Sequence, residues 1–274
     1  VDIDDTLDSI FSSDMAIGKY VAQRAGIGIN AGRIRGINSK IRGGEVQHTG
    51  VVPFLKKFES TVRCCTQNGI RGGSATVHFP IWHQEIQDIL VLKNNKGTED
   101  NRVRKLDYSI QISQLFYERF IEDKEVSLFS PHDVPGLYES FGTDRFDELY
   151  HRYELDKSIP RKTIGGQELI LDLLKERAET GRIYIMNIDH CNSHSSFQEK
   201  VNMSNLCQEI TLPTDPIQHI DGAGEIALCI LSAINVGKVQ SDRELEDLCD
   251  LSVRALDEII DYQEYPVKAA EIST

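Results

Sequence analysis

Short strand-like runs alternate with longer amphipathic helical ones along this sequence, and few architectures accept that order. Residues 26–31 (GIGINA) read as a short, buried, Gly-rich strand. Residues 107–112 (DYSIQI) alternate like a strand, and residues 182–187 (RIYIMN) give another. Leu7, Ile10, Phe11, Ile17 and Val21 fall on one face of a helix ending near Arg24. Val51, Phe54, Leu55, Phe58, Val62 and Cys65 have helical spacing. Ser113 is placed to cap a helix over 114–120. Further helices are expected from Asp144, over 167–180 and over 242–262, the last with an apolar face of Leu245, Leu248, Cys249, Leu256, Ile259 and Ile260. This order predicts an α/β fold with largely parallel strands, and leaves a barrel and an open sheet equally open.

The 274 residues suffice for one large domain or two small ones. Val1 stands where an initiator Met would, so the chain is expected to be cut from something longer. Its start, with Asp2, Asp4 and Asp5, is unlike a signal peptide, and no apolar run approaches the roughly 20 residues that span a bilayer. A net charge of −13 argues against non-specific nucleic-acid binding, which needs clustered positive charge. It leaves room for a phosphate-bearing small molecule, which needs only a few arginines and backbone N–H groups. Six cysteines with no export signal predict a reduced, cytoplasmic protein, in which a disulfide would be catalytic rather than structural.

Two Arg/Gly loops are candidate phosphate sites. Residues 32–44 (GRIRGINSKIRGG) carry Arg33, Arg35, Lys40 and Arg42; residues 67–73 (QNGIRGG) carry Gln67 and Arg71. Glycine lets the backbone approach a ligand, and the guanidinium fork matches phosphate oxygens. Neither loop fits the Walker or dinucleotide patterns, and solvated turns would look the same. In residues 205–210 (NLCQEI), a strand would turn Asn205, Cys207 and Glu209 to one face. A carboxylate beside a thiol disfavours the thiolate, so this row suits hydrogen-atom chemistry by a neutral thiol; an ordinary buried cysteine is the plainer reading. Cys229 by itself reads as core, and Cys64 and Cys65 as structural. The Asp189, His190, Cys191 and His194 group has no standard zinc spacing.

Beyond these local patterns the sequence resembles the large, catalytic subunit of class I ribonucleoside-diphosphate reductases. The resemblance runs through nearly the whole chain, in residues 25–32 (AGIGINAG), 41–45 (IRGGE), 71–73 (RGG), 80–83 (PIWH), 91–95 (VLKNN), 128–138 (LFSPHDVPGLY), 181–184 (GRIY), 189–192 (DHCN) and 205–210 (NLCQEI). It implies a ten-stranded α/β barrel with the catalytic cysteine on an internal loop, and makes residues 1–274 a single partial catalytic barrel domain. The effector and dimer region would occupy about 1–80 and the catalytic region about 180–240.

By that resemblance Cys207 becomes the thiyl radical that removes the 3′-hydrogen of a ribonucleoside diphosphate. Glu209 takes the proton of the 3′-hydroxyl, Asn205 holds the ribose hydroxyls, and Cys229 is one of two thiols that become a disulfide. The second thiol would lie upstream of Val1. Asp5, Arg35, Arg42, Gln67 and Arg71 would bind nucleoside triphosphate effectors, Asp5 at the sugar. The implied partners are a second large subunit, a small subunit whose metal supplies the radical, and thioredoxin or glutaredoxin. No metal or cofactor is expected on this chain itself. Two alternatives share part of the pattern: an adenosylcobalamin-dependent reductase, and a non-catalytic nucleotide-binding regulatory module. The module would need the effector residues and not Asn205, Cys207, Glu209 and Cys229 together.

Overall fold

The computed structural model describes residues 1–66 and 72–273; Gln67 and Arg71 therefore lie outside the described residues. Four strands form one parallel sheet: β1 (Ile27–Asn30), β2 (Ala75–Pro80), β3 (Asp107–Ile112) and β4 (Ile183–Asn187). They lie side by side in chain order, each added to the same edge. Right-handed crossovers in a sheet of that order put every connection on one face, which is how a barrel wall is wound and an open, doubly wound sheet is not. The segment at Val1 and Asp2 continues the wall on the far side of β1, through a parallel bridge from Asp2 to Asn30. Strand β2 was not foreseen, although its residues alternate in the same way as those of β3.

The register shows what each face is for. Ile29, Val77 and Tyr108 lie in one row across the sheet, and Phe79 and Ile110 in another, all buried. Asn30, His78, Ser109 and Tyr184 share a row on the opposite face, where Asn30, His78 and Ser109 are fully buried. A buried polar face needs partners. It finds them in the chain between 201 and 210, whose backbone crosses it.

Helices cover the apolar face. α1 (Leu7–Ala22) starts at Thr6, whose side chain accepts from the N–H of Ser9. It buries Ile10, Ile17 and Val21, but leaves Leu7 61% and Phe11 48% exposed. The single apolar face expected of this helix is thus two faces, one toward the core and one outward. α2 (Val52–Cys64) begins on Pro53 and buries Leu55, Phe58 and Val62. It packs on α1, where Asp14 takes bonds from Lys57 Nζ and Thr61 Oγ1, both at 2.6 Å.

α3 (Gln114–Ile121) and α4 (Gly166–Thr180) pack together, and α4 lies against β4. The helix expected from Asp144 runs over Phe146–Leu155. α5 (Asp242–Tyr262) has the expected bounds, with Ser241 as its cap. Leu245, Leu248, Leu256 and Ile260 are half-buried along it, while Cys249 and Ile259 are exposed. Among the described residues no helix is long and apolar enough to cross a membrane.

Candidate functional site

From residue 194 to residue 235 the chain forms neither helix nor strand, and this stretch carries the candidate site. The strand expected for residues 205–210 is not formed. Gln208 has φ +70°, a left-handed conformation that ends any strand. The loop closes on itself through the N–H of Asn205 to Ile210 O (3.4 Å) and the N–H of Ile210 to Asn205 Oδ1 (3.1 Å). Ser204 Oγ adds a bond to Ile210 O at 2.6 Å. The loop lies flat on the polar face of the sheet, where Thr76 Oγ1 donates to Leu206 O at 2.7 Å and Gln111 Nε2 to Asn202 O at 2.5 Å.

Gly28 in β1 and Gly26 just before it make this approach possible. A Cβ on Gly28 would stand 2.2 Å from the carbonyl oxygen of Ser204, closer than any contact allows. One on Gly26 would meet the Leu206 side chain at 2.5 Å. The Gly-rich strand is therefore the floor on which the loop rests.

Asn205, Cys207 and Glu209 line one cavity of about 280 Å³, and Cys229 lines the same cavity. A bridge between Asp215 and Glu225 turns the chain back, so that Asn205 Nδ2 stands 3.9 Å from Cys229 Sγ. Desolvation pushes the Cys229 thiol above its ordinary pKa, with the Glu209 carboxylate and Cys207 adding to the shift and the Asn205 bond opposing it. The carboxylate effect foreseen in the sequence is thus felt at Cys229. A thiol, an amide and a carboxylate facing one cavity can hold a polyol, accept its proton and exchange a hydrogen atom, with a second thiol beside them.

A separate cluster forms at the first Arg/Gly loop. Asp5 accepts from the N–H of Arg35 at 3.0 Å and from its Nε at 2.8 Å, and His132 stands 3.8 Å from the same carboxylate. Burial raises the pKa of Asp5, and its bonds to Arg35 and the charges of Arg35 and His132 oppose the rise. Arg42 is exposed in the turn of a small hairpin that pairs Lys40–Ile41 with Val46–Gln47. The loop is pinned from outside: His83 Nε2 meets Ile34 O at 2.9 Å, Glu85 accepts from the N–H groups of Ile37 and Val51, and Ser130 Oγ accepts from the N–H of Gly36. Burial raises the Glu85 pKa against those backbone bonds. The PIWH and LFSPHDVPGLY segments thus supply anchors for the loop.

The sequence gives no direct sign of one further polar group, at Asp2, Asn30, Arg33, Tyr138 and Lys200. Asp2 accepts from Asn30 Nδ2 at 2.6 Å and faces Arg33 at 3.7 Å. Arg33, a candidate phosphate ligand by composition, instead lies 4.5 Å over the Tyr138 ring. Asp189 is used structurally, accepting from the N–H of Gln114 at 2.7 Å. Among the described residues, no three His, Cys, Asp or Glu side chains group as a metal site.

The fold and the loop together define a class: a singly wound α/β wall carrying a thiol, an amide and a carboxylate on a loop across its polar face. The ribonucleotide reductase barrel-domain family matches residues 1–274, and the chain belongs to that family. It is similar to the ribonucleoside-diphosphate reductase subunit alpha of Haemophilus influenzae, with 56% identity over all of this chain and 37% of that protein. The subunit alpha of Buchnera aphidicola from Schizaphis graminum is 55% identical over 98% of the chain and 36% of its own length. The subunit alpha of Enterobacteria phage T4 is 47% identical over 99% of the chain and 37% of its own length. The chain thus spans little more than a third of the curated relatives it matches. The adenosylcobalamin alternative gains no support from them.

Proposed function

We propose that this chain is the catalytic barrel region of a class I ribonucleoside-diphosphate reductase large subunit, and that Asn205, Cys207, Glu209 and Cys229 carry its reaction. The observation that carries the reading is the shared cavity: four side chains from two stretches of chain converge on it, with Asn205 Nδ2 3.9 Å from Cys229 Sγ. Cys207, as a thiyl radical, takes the 3′-hydrogen of the ribose. Glu209 accepts the 3′-hydroxyl proton as a positioned base, and Asn205 holds the hydroxyls. The 2′-hydroxyl leaves as water with a proton from one of two thiols, Cys229 and the second thiol that the resemblance implies. This pair supplies two electrons and the hydrogen gained at C2′ and becomes a disulfide, and Cys207 returns a hydrogen atom to C3′ to become the thiyl radical again. The radical comes from a metal-containing small subunit, and thioredoxin or glutaredoxin restores the dithiol in the cytoplasm.

Asp5, Arg35 and Arg42, with Gln67 and Arg71 outside the described residues, form the proposed effector site of residues 1–80. The Asp5–Arg35 pair would open or turn to admit a triphosphate. A bound effector selects the substrate only by favouring one loop arrangement over another, which is a coupling between two sites. The catalytic residues of the 180–240 region distinguish this reading from a regulatory module, which has no use for them.

The test is cytidine diphosphate reduction by the gene's full-length product with its small subunit and dithiothreitol. Turnover is expected from the parent, and a fall to background, at least about 10³-fold, from Cys207→Ser, since the radical step has no substitute. Full activity in the variant would remove Cys207 from the mechanism.

A further inference from the structure

Gln208 stands between two of the proposed reacting side chains and does not face their cavity. Its neighbours Cys207 and Glu209 both do. Its backbone holds φ +70°, a region that glycine adopts freely and a side chain does not. Something must hold it there, and two contacts from the sheet floor are available. Ser109 Oγ donates to Gln208 Oε1 at 3.0 Å. Gln208 Nε2 faces His78 Nε2 at 3.4 Å. Both assignments agree on one orientation of the amide, with its oxygen toward the hydroxyl and its nitrogen toward the ring.

His78 and Ser109 are fully buried and are cross-strand partners on the polar face. Burial lowers the His78 pKa to about 3, so the ring is neutral and one of its two nitrogens keeps a lone pair; with the hydrogen on Nδ1, that lone pair faces the Gln208 amide. The two residues sit on different strands, so their spacing is fixed by the sheet and not by the loop.

We propose that the Gln208 side chain is the positioning group of the radical loop: clamped between Ser109 and His78, it holds the left-handed turn that sets Cys207 and Glu209 against one cavity. The proposal rests on the reading of Cys207 as the radical centre. It assigns to Gln208 no contact with the substrate. Gln208 acts through its neighbours, by fixing where their side chains begin, and a reacting group displaced by an ångström loses much of its rate.

The clamp is polar on all three sides, and this makes it separable from general loop stability. Removing one member leaves buried polar groups without partners, whereas exchanging the whole set for apolar groups of similar shape does not. Three variants of the full-length product, assayed with the small subunit, use this difference: Gln208→Leu, Gln208→Gly, and the triple His78→Phe, Ser109→Ala, Gln208→Leu.

Gln208→Leu is expected to lower kcat roughly tenfold with the KM for cytidine diphosphate unchanged. Gln208→Gly, which eases the backbone and removes the clamp, is expected to lose kcat as well. The triple variant is expected to recover to within about threefold of the parent. The second readout is the alkylation rate of Cys207 by iodoacetamide, followed on its own peptide. It should shift at least about threefold in the two single variants and return in the triple. Parent-like kcat and alkylation in Gln208→Leu would overturn the clamp. So would parent-like values in Gln208→Gly, because the turn alone would then suffice. A fall in every variant, without recovery in the triple and in step with the thermal midpoint, would reduce Gln208 to a structural residue and overturn its positioning role. An inactive parent would defeat the proposed function instead, and the alkylation rates would still decide whether Gln208 sets the position of Cys207.

Discussion

Lys200 is a half-buried ammonium. Its Nζ donates to Tyr138 O at 2.9 Å and lies 5.2 Å over the Tyr138 ring. Burial lowers its pKa from 10.5 to about 7; the Arg33 charge adds to this, and Asp2 and Glu139 oppose it. The unfolded chain keeps that proton up to about 10.5, so between about 7 and 10.5 it binds more protons than the folded one. Stability from this residue therefore rises with pH across that window, falls as pH drops through it, and changes no further below about 7. Lys200→Met should be stabilising near neutrality, and its advantage should shrink as pH rises toward 10.5. Thermal midpoints of parent and variant across that range check this, and a gap that does not change with pH would contradict it. Arg33 shares the same ring. A lysine and an arginine in one pocket balanced by Asp2 could not be read from a sequence in which they stand 167 positions apart.

At the scale of elements, α3 shows how a correct element can have an unexpected cause. Ser113 stands where a cap should, but its hydroxyl is buried without a partner and makes no capping bond. The orphan N–H of Gln114 is taken by Asp189 Oδ2, from the helix that follows β4. Asp189→Ala should therefore cost about 1 kcal/mol, the usual value of a lost cap. Ser113→Ala should change stability by no more than about 0.5 kcal/mol. Urea unfolding of the two variants decides it; the reverse order of effects would return the cap to Ser113. Residues 205–210 likewise reach an expected arrangement by an unexpected route. Their alternation reads as a strand, and the polar stripe is real in that all three side chains reach one cavity. The chain achieves this by a turn at Gln208, which period-two reasoning has no means of placing.

At the scale of the whole molecule, several apolar side chains stand outside the core. Leu7, Phe11 and Met15, spaced by four on the outer side of α1, are 61%, 48% and 52% exposed. Their row fits the second large subunit that the family resemblance implies for the region of residues 1–80, in which α1 and α2 lie. Phe11→Glu should weaken self-association of the full-length product roughly tenfold or more, as loss of a central aromatic contact does. Sedimentation across a concentration series measures it; an unchanged dissociation constant would move the interface elsewhere. The exposed apolar side chains Leu231, Val236, Leu251 and Val253 around α5 fit a chain that spans 37% of its relative in Haemophilus influenzae.

The sequence alone determined the α/β class, the bounds of β3 and α5, the family, and the names of the four candidate reacting residues. Each of these is carried locally, by the period of side chains along one element or by a short motif that stands whole in the chain. It was silent on β2, on the polar face of the sheet, and on the Asp2–Arg33–Lys200 cluster. Only the tertiary structure decided that Gly28 is a floor for Ser204, that Asp189 caps α3, and that Cys229 meets Asn205. Those are contacts between residues far apart in the chain, and their geometry is set by the register of parallel strands and by the closing of loops. Sequence periodicity reports the direction of a side chain within its own element; it does not report which distant backbone will lie beneath it.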